Sequence, residues 1–515
     1  MESLVSGLLH EPLSQEVQNA IFLPWIEGAF GPMLPHLRRI NEAHVVMLAD
    51  TGLLNADHAA ALLNVVEALA KEGPDAFTLD GSLEDVYFNY EAQVIRRLGQ
   101  DVGGRLHMAR SRNDLQSTLD RMRARQSARD LMAGTLALRR ALIERAKTYA
   151  DCVMPGYTHM QHAQPITYGF YLLGVENGLQ RDFARGAQAF AHLNQCPLGA
   201  GAMAGTTFAI DRELTAALLG FSGPMPHALD AVASKDAILE LLTAALFVST
   251  TFGRMAQDFY TMSTFEFGTL TLPDSLAITS SIMPQKKNQA VLEFVKGRQA
   301  HLLGAMVTAF GAFRAAPYSH VLDANADSLH WVWQGLDELN LLMPVVRHIV
   351  ERAEPNVERM LALSGANFAT ATDLADHLVQ SVGLSFKEAH HITGRVVRLA
   401  LEAQVPIHEI GPELVSRAAL EASGRDLTLT RDEIASALDP RKAVARRCHG
   451  GGPSAHDMAE LLRQSEASLI DDETALQRLV AAQRTADETL DGRVTELRQR
   501  AGTSKSPGAP GTASA

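Results

Sequence analysis

Apolar residues recur at helical spacing over long stretches of this chain, and the alternation that makes strands is scarce. Residues 115–150 hold one glycine (Gly134) and no proline, with Leu119, Met122, Leu131, Leu136, Leu138 and Leu142 at mostly helical intervals. A helix of that length would run about 54 Å at 1.5 Å per residue. Asn113 and Asp114 just ahead of it offer side-chain acceptors suited to an N-cap. Residues 167–193, 235–264 and 289–315 read as three further rods, and four rods with apolar faces predict an elongated bundle. Residues 1–110 read as shorter helices broken by Gly52, Gly73 and Gly81. Shorter helices return at 371–382, 385–403 and 430–438, followed by one at 473–500. The expected organisation is a helical domain over 1–110, a long bundle over 111–365, a small helical domain over 366–501 and a disordered tail over 502–515. Such wide apolar faces would bury best against further copies of the chain, so an oligomer is expected.

Composition narrows the function classes. Lys and Arg number 46 against 59 Asp and Glu, a net charge of −13, and no basic tract is suited to following a phosphate backbone, so no nucleic-acid partner is expected. The acidic total does not fix the substrate, because a cationic pocket can sit inside an anionic shell. Cys152, Cys196 and Cys448 are too scattered for a disulfide framework or a zinc site and read as reduced thiols of a cytoplasmic protein. The N-terminus has no basic stretch ahead of an apolar core, so no secretory signal is expected. The apolar stretch 237–251 is interrupted by Glu240, Thr243 and Ser249 and is shorter than the roughly 20 residues a bilayer needs. It reads as a buried core helix, and no membrane partner is expected.

Three polar clusters stand where a packed helix would not want them. In HMARSRND, Ser111, Arg112 and Asn113 sit at a helix entrance, where free N–H groups and the helix dipole favour an anion and Arg112 can grip a carboxylate with two bonds. A capping turn with a solvated arginine is the plainer alternative. In GYTHMQHAQPITYG, Thr158 and His159 follow a glycine; His162 is nearby, but no carboxylate or thiol stands at ligand spacing, which argues against a metal. In TSSIMPQKKN, two hydroxyls, two lysines and an amide surround Pro284 just before a helix, donors suited to charge building on an oxygen. A fourth segment, Gly199 to Gly205, is glycine-rich but lacks the spacing and the preceding strand of a dinucleotide loop.

Together the three clusters resemble the argininosuccinate lyase family of the aspartase/fumarase superfamily. The third is similar to the superfamily's signature loop, with Thr279 where a glycine is usual, and PLGAGAMAGTTFAIDRE and ATDLADHLVQSVGLSFKEAHHITG extend the resemblance over roughly residues 35–455. The resemblance implies an all-α, three-domain subunit whose long bundle joins a homotetrameric twenty-helix core. Each active site would take the three clusters from three subunits, with neither cofactor nor metal. It implies reversible elimination of fumarate from an N-substituted aspartate, with Ser280 as general base. Lys286 and Asn288 would hold the carboxylate together with Ser111, Asn113 and Thr158, while Arg112 would touch the succinyl part or order its pocket. Ser281 and Met283 would line the site from the same loop. His159 matches the family's histidine that pairs with a glutamate, for which Glu293 stands at the matching position.

The sequence departs from the family on the amine side. His320 and Asn325 stand where a tyrosine and a glutamine are usual, and Ser234-Lys235-Asp236 replaces Glu-Arg-Asp. This pattern is similar to a family branch acting on aminopolycarboxylates such as ethylenediamine-N,N′-disuccinate, where Lys235 or His320 could meet a second carboxylate. Argininosuccinate as substrate, and a catalytically silent crystallin-like homologue, are the alternatives.

Overall fold

The computed structural model describes residues 11–503 of the chain, so the expected tail over 502–515 lies almost wholly outside the described residues. Six rods dominate: Arg112–Thr148, Tyr168–Leu193, Asp236–Met262, Ala290–Ala315, Ser328–Arg352 and Ala455–Thr503, taken below as rods one to six. Strands among the described residues are confined to three two-stranded antiparallel pieces, so the fold is all-α. The expected N-cap of rod one shifts by two residues. Ser111 is the cap, its hydroxyl accepting the Asn113 N–H while the Asp114 carboxylate accepts the Ser111 N–H, a reciprocal box that outcompetes a cap at Asn113 or Asp114.

Rods five and six extend the expected pattern. Rod five carries Pro344 within it and rod six is 49 residues long rather than a helix over 473–500. The stretch 237–251 belongs to the 27-residue rod three, which is long and apolar enough to cross a membrane by composition. It instead buries Leu241, Leu242, Ala245, Val248, Phe252 and Phe259 among the other rods. Three apolar clusters result: one between the rods, one under the helices Leu23–Asp50, Ala56–Glu72 and Val86–Gly103, and one over Leu374–Leu438. Rod six starts against the first cluster and ends with Leu490, Val494 and Leu497 inside the second, so it packs away from the small C-terminal unit to which its sequence position assigned it.

Rod four is apolar on more faces than its own chain covers. Phe294 and Val307 are 65% and 66% exposed, and Leu303 and Phe310 are exposed beside them. An all-round apolar helix is the signature of an element buried in a larger assembly. Rod six is tied to rods one and two by charge. The fully buried Arg139 holds Glu176 at 2.7 Å, bonds Asp472, and donates to Ser468, while Ser465 donates to Glu176 at 2.9 Å.

Arg139→Ala leaves Glu176 buried without its cation, which costs about 3–5 kcal/mol. Calorimetry should show the loss as a lower melting temperature, with rod six becoming the protease-sensitive element.

Candidate active site

The entrance of rod one is crowded with held polar groups. The Arg112 guanidinium leaves the helix to pair with Glu84 at 2.9 Å and Asp85 at 3.1 Å, and its carbon lies 4.2 Å from the Phe88 ring centroid. Burial lifts the Asp85 carboxyl, offset by the Phe88 N–H and by Arg112. Arg112 is thus held within the chain by two carboxylates and an aromatic ring. Asn113 Nδ2 donates to the Ala202 carbonyl at 3.0 Å.

Lys235 reaches the same place from the start of rod three. Its ammonium is buried, donates to Ser117 Oγ at 3.1 Å, and stands 3.6 Å from Asp120. Burial pushes the lysine down and the aspartic acid up, each partly restored by the other's charge. His320 arrives from the turn after rod four. Burial, with the fields of Lys235 and Arg112, lowers its imidazole to about 4. Asn325 is buried, and its Oδ1 has no hydrogen-bond partner among the described residues. It lines a cavity of about 200 Å³ with Gln116, Asp120, Trp25 and Trp333. Ser111, Arg112, Asn113, Lys235 and His320 are thus brought to one end of the bundle by a single chain.

The second cluster is at the other end. Val153–Thr158 and Gln161–Thr167 form a hairpin just past the C-terminus of rod one, an element the helical reading missed. Its two-residue turn is His159-Met160, both at positive φ (53° and 58°), with Thr158, His159 and Met160 exposed. Hairpin turns of this kind favour Asn-Gly, so a histidine and a methionine here hold strain of about 1–3 kcal/mol each. Strain of this sort points to a position kept for its side chain.

Ile278–Thr279 pairs with Lys287–Asn288, presenting residues 280–286 as an exposed loop. The Ser280 hydroxyl accepts the N–H groups of Ile282 at 3.3 Å and Met283 at 3.0 Å. These two donors were invisible in the sequence, which pointed only to Lys286 and the rod-four dipole as positive fields. Ser281, Met283 and Lys286 are exposed, Asn288 is half-buried, and Lys287 is taken up by Asp274 at 2.5 Å. Glu293 accepts the Tyr260 hydroxyl at 2.9 Å, so its bond within the chain is to Tyr260 and not to His159.

Rod one sets the distance between the clusters. Its 37 residues run about 55 Å, with the 111–113 segment at its start and the 153–167 hairpin past its end. No hydrogen bond links the 280s loop to either cluster among the described residues.

A family model described as "Lyase" matches residues 37–304, and one described as "Argininosuccinate lyase C-terminal" matches 368–445. Argininosuccinate lyase 1 of Shouchella clausii is 35% identical over 495 residues, covering 96% of this chain and 99% of that protein. The argininosuccinate lyase of Methanothermobacter thermautotrophicus is 36% identical over 433 residues, 84% of this chain and 92% of that protein. Among solved structures, EDDS lyase in complex with formate superposes with a TM-score of 0.85 at 31% identity, covering 95% of this chain and 97% of that one.

Replacing the hairpin turn by His159→Asn with Met160→Gly should relieve the positive-φ strain and raise stability by about 1 kcal/mol. Fumarate release, followed by ultraviolet absorbance, should fall in the same variant. Unchanged turnover would remove His159 from the site.

Proposed function

The chain belongs to the argininosuccinate lyase family of fumarate-eliminating enzymes, and from that premise we propose that it acts on an N-substituted aspartate whose amine half carries a further carboxylate, ethylenediamine-N,N′-disuccinate being the type. The Ser280 hydroxyl, held under two backbone N–H donors in a loop that also carries Lys286 and Asn288, is the observation that carries the chemistry. The proton to be removed sits beside a carboxylate and is too weakly acidic for an unaided base. Fixed donors that hold the aci-carboxylate dianion make it removable. Lys286 and Asn288 supply them from the loop, with Ser111, Asn113 and Thr158 from the other clusters and Ser281 and Met283 lining the site. Ser280, as alkoxide, takes the proton from carbon. The freed electron pair forms the C=C bond of fumarate as the C–N bond breaks, and the amine leaves with a proton. The Ile282 and Met283 N–H groups and the Lys286 charge stabilise the alkoxide. His159, partnered by Glu293, orients the substrate or protonates the leaving amine.

On the amine side, the field of Lys235 and Arg112 that depresses His320 repels a guanidinium and attracts a carboxylate. Carboxylate binding would raise His320 from about 4, so affinity for the amine half should strengthen as the pH falls. Argininosuccinate is the second reading, supported by its namesake relatives and by the buried acceptor Asn325 Oδ1, which suits a guanidinium.

We propose further a homotetramer in which three subunits share each site. Two features support it: rod one separates the first cluster from the second by its length, and rod four leaves Phe294, Leu303, Val307 and Phe310 exposed for a neighbour to cover. Free buried thiols at Cys152 and Cys196 accord with the cytoplasm as its place of work.

Ser280→Ala should lower turnover about 10³-fold with assembly size unchanged in light scattering. Mixed and reassembled with Asn113→Ala chains, it should recover activity that neither variant has alone; no recovery would sink the shared site. Fumarate released from argininosuccinate but not from ethylenediamine-N,N′-disuccinate would overturn the substrate assignment.

A further inference from the structure

The glycine-rich segment between rods two and three takes no part in the chemistry above, yet it is built tightly onto the entrance of rod one. Gly199 and Gly201 stand at φ +89° and +61°, and a Cβ on Gly201 would lie 2.4 Å from the Gly205 carbonyl oxygen, so the turn admits only glycine there. Ala200 donates to Pro197 at 3.1 Å and Gly205 to Ala200 at 2.8 Å, which curls the loop so that two N–H groups converge. Both point at one atom: Asp114 Oδ2 accepts the Gly199 and the Gly201 N–H, each at 2.9 Å. The other oxygen accepts the Ser111 N–H at 2.9 Å. Asp114 itself is completely buried. The next residue back, Asn113, reaches the same loop one step further on, at the Ala202 carbonyl. One carboxylate therefore fastens the loop to the backbone that carries Ser111 and Asn113, while residues 202–205 remain exposed beside them as a rim.

We infer that Asp114 is a positioning residue for fumarate elimination, its carboxylate fixing the glycine loop as the wall from which Ser111 and Asn113 present their donors. This rests on the reading of Ser111 and Asn113 as carboxylate-binding groups. The ionised form holds all three N–H groups most strongly, because protonation weakens the acceptor on the oxygen that takes the proton and adds a donor facing N–H groups. Burial raises the Asp114 carboxyl to about 6, with the three N–H groups and the field of Arg110 keeping it from rising further. The Cys196 thiol, at the foot of the loop, is a further titratable neighbour; burial drives it up to about 12, so it stays neutral across the working range. As the pH falls through about 6 the carboxyl takes a proton, and an O–H replaces one acceptor lone pair. The clamp then opens, and the donors lose their register.

The test follows kcat and KM from pH 5 to 8 on whichever substrate the natural enzyme turns over, for Asp114→Asn, Asn113→Ala and the double variant. Asp114→Asn should keep its melting temperature within a few degrees. It should lose about 10²-fold in kcat/KM at pH 8, the scale of an ångström of misplacement, and should lack the acid limb near pH 6 expected of the natural enzyme. The double variant should be no worse than the poorer single one, because both act through the same group. If Asp114→Asn does not fold, Gly201→Ala, which displaces the loop with Asp114 intact, should give the same loss. Natural kcat/KM and an unchanged acid limb in Asp114→Asn, or in its absence natural rates in Gly201→Ala, would overturn the inference while a crippled Asn113→Ala leaves the site reading intact. An unimpaired Asn113→Ala would overturn both.

Discussion

The hydrogen-bond ladder of rod one is the constraint on which the rest depends. It runs unbroken for 37 residues, about 55 Å, with the 111–113 segment at one end and the 153–167 hairpin beyond the other. In the function proposed above both segments serve one substrate, so one chain would hold the parts of an active site and not the site. The apolar surface of rod four then reads as the complement of that distance: the neighbour that covers Phe294 and Val307 can also bring the missing clusters. In the shared site proposed above, that rigidity would keep each copy in register with its neighbours.

Charge behaves locally in this protein. The chain is acidic by 13 charges, yet two of the three segments assigned to the reaction hold a cation or aligned N–H groups: Arg112 at the entrance of rod one, and Lys286 with the Ile282 and Met283 N–H groups in the 280s loop. Where acids occur near them they are already used: Glu84 and Asp85 by Arg112, Asp120 by Lys235, Asp114 by three backbone N–H groups. The amine end keeps His320 neutral in the same field. In the proposed reaction a dianionic substrate end would meet these donors locally, whatever the sign of the whole chain.

The helical class, the rods over 167–193, 235–264 and 289–315, and the capped helices of the small C-terminal unit were legible because apolar periodicity and Ser or Thr caps are local signals. Ser385 and Thr430, where two of the expected helices begin, are their N-caps. Rod five was hidden by Pro344, and the 153–167 hairpin by Pro155 and Pro165 within its strands and a turn that lacks the usual Asn-Gly. In the site, residue identities were legible through resemblance, whereas their grouping was not. Lys235, His320 and Arg112 are scattered over two hundred positions and meet only through the packing of rods one, three and four. The Ile282 and Met283 N–H groups could not be read at all, since backbone donors have no letter in the sequence.

The path of rod six has a consequence for biosynthesis. Leu490, Val494 and Leu497 complete an apolar cluster whose other members begin at Ala29. During translation at about 5–20 residues per second, that N-terminal cluster waits on the order of tens of seconds for its last wall. Until rod six leaves the ribosome, the flank that Leu490, Val494 and Leu497 cover stays open to water. The N-terminal unit therefore finishes its packing only once a segment made about four hundred residues later has returned to it.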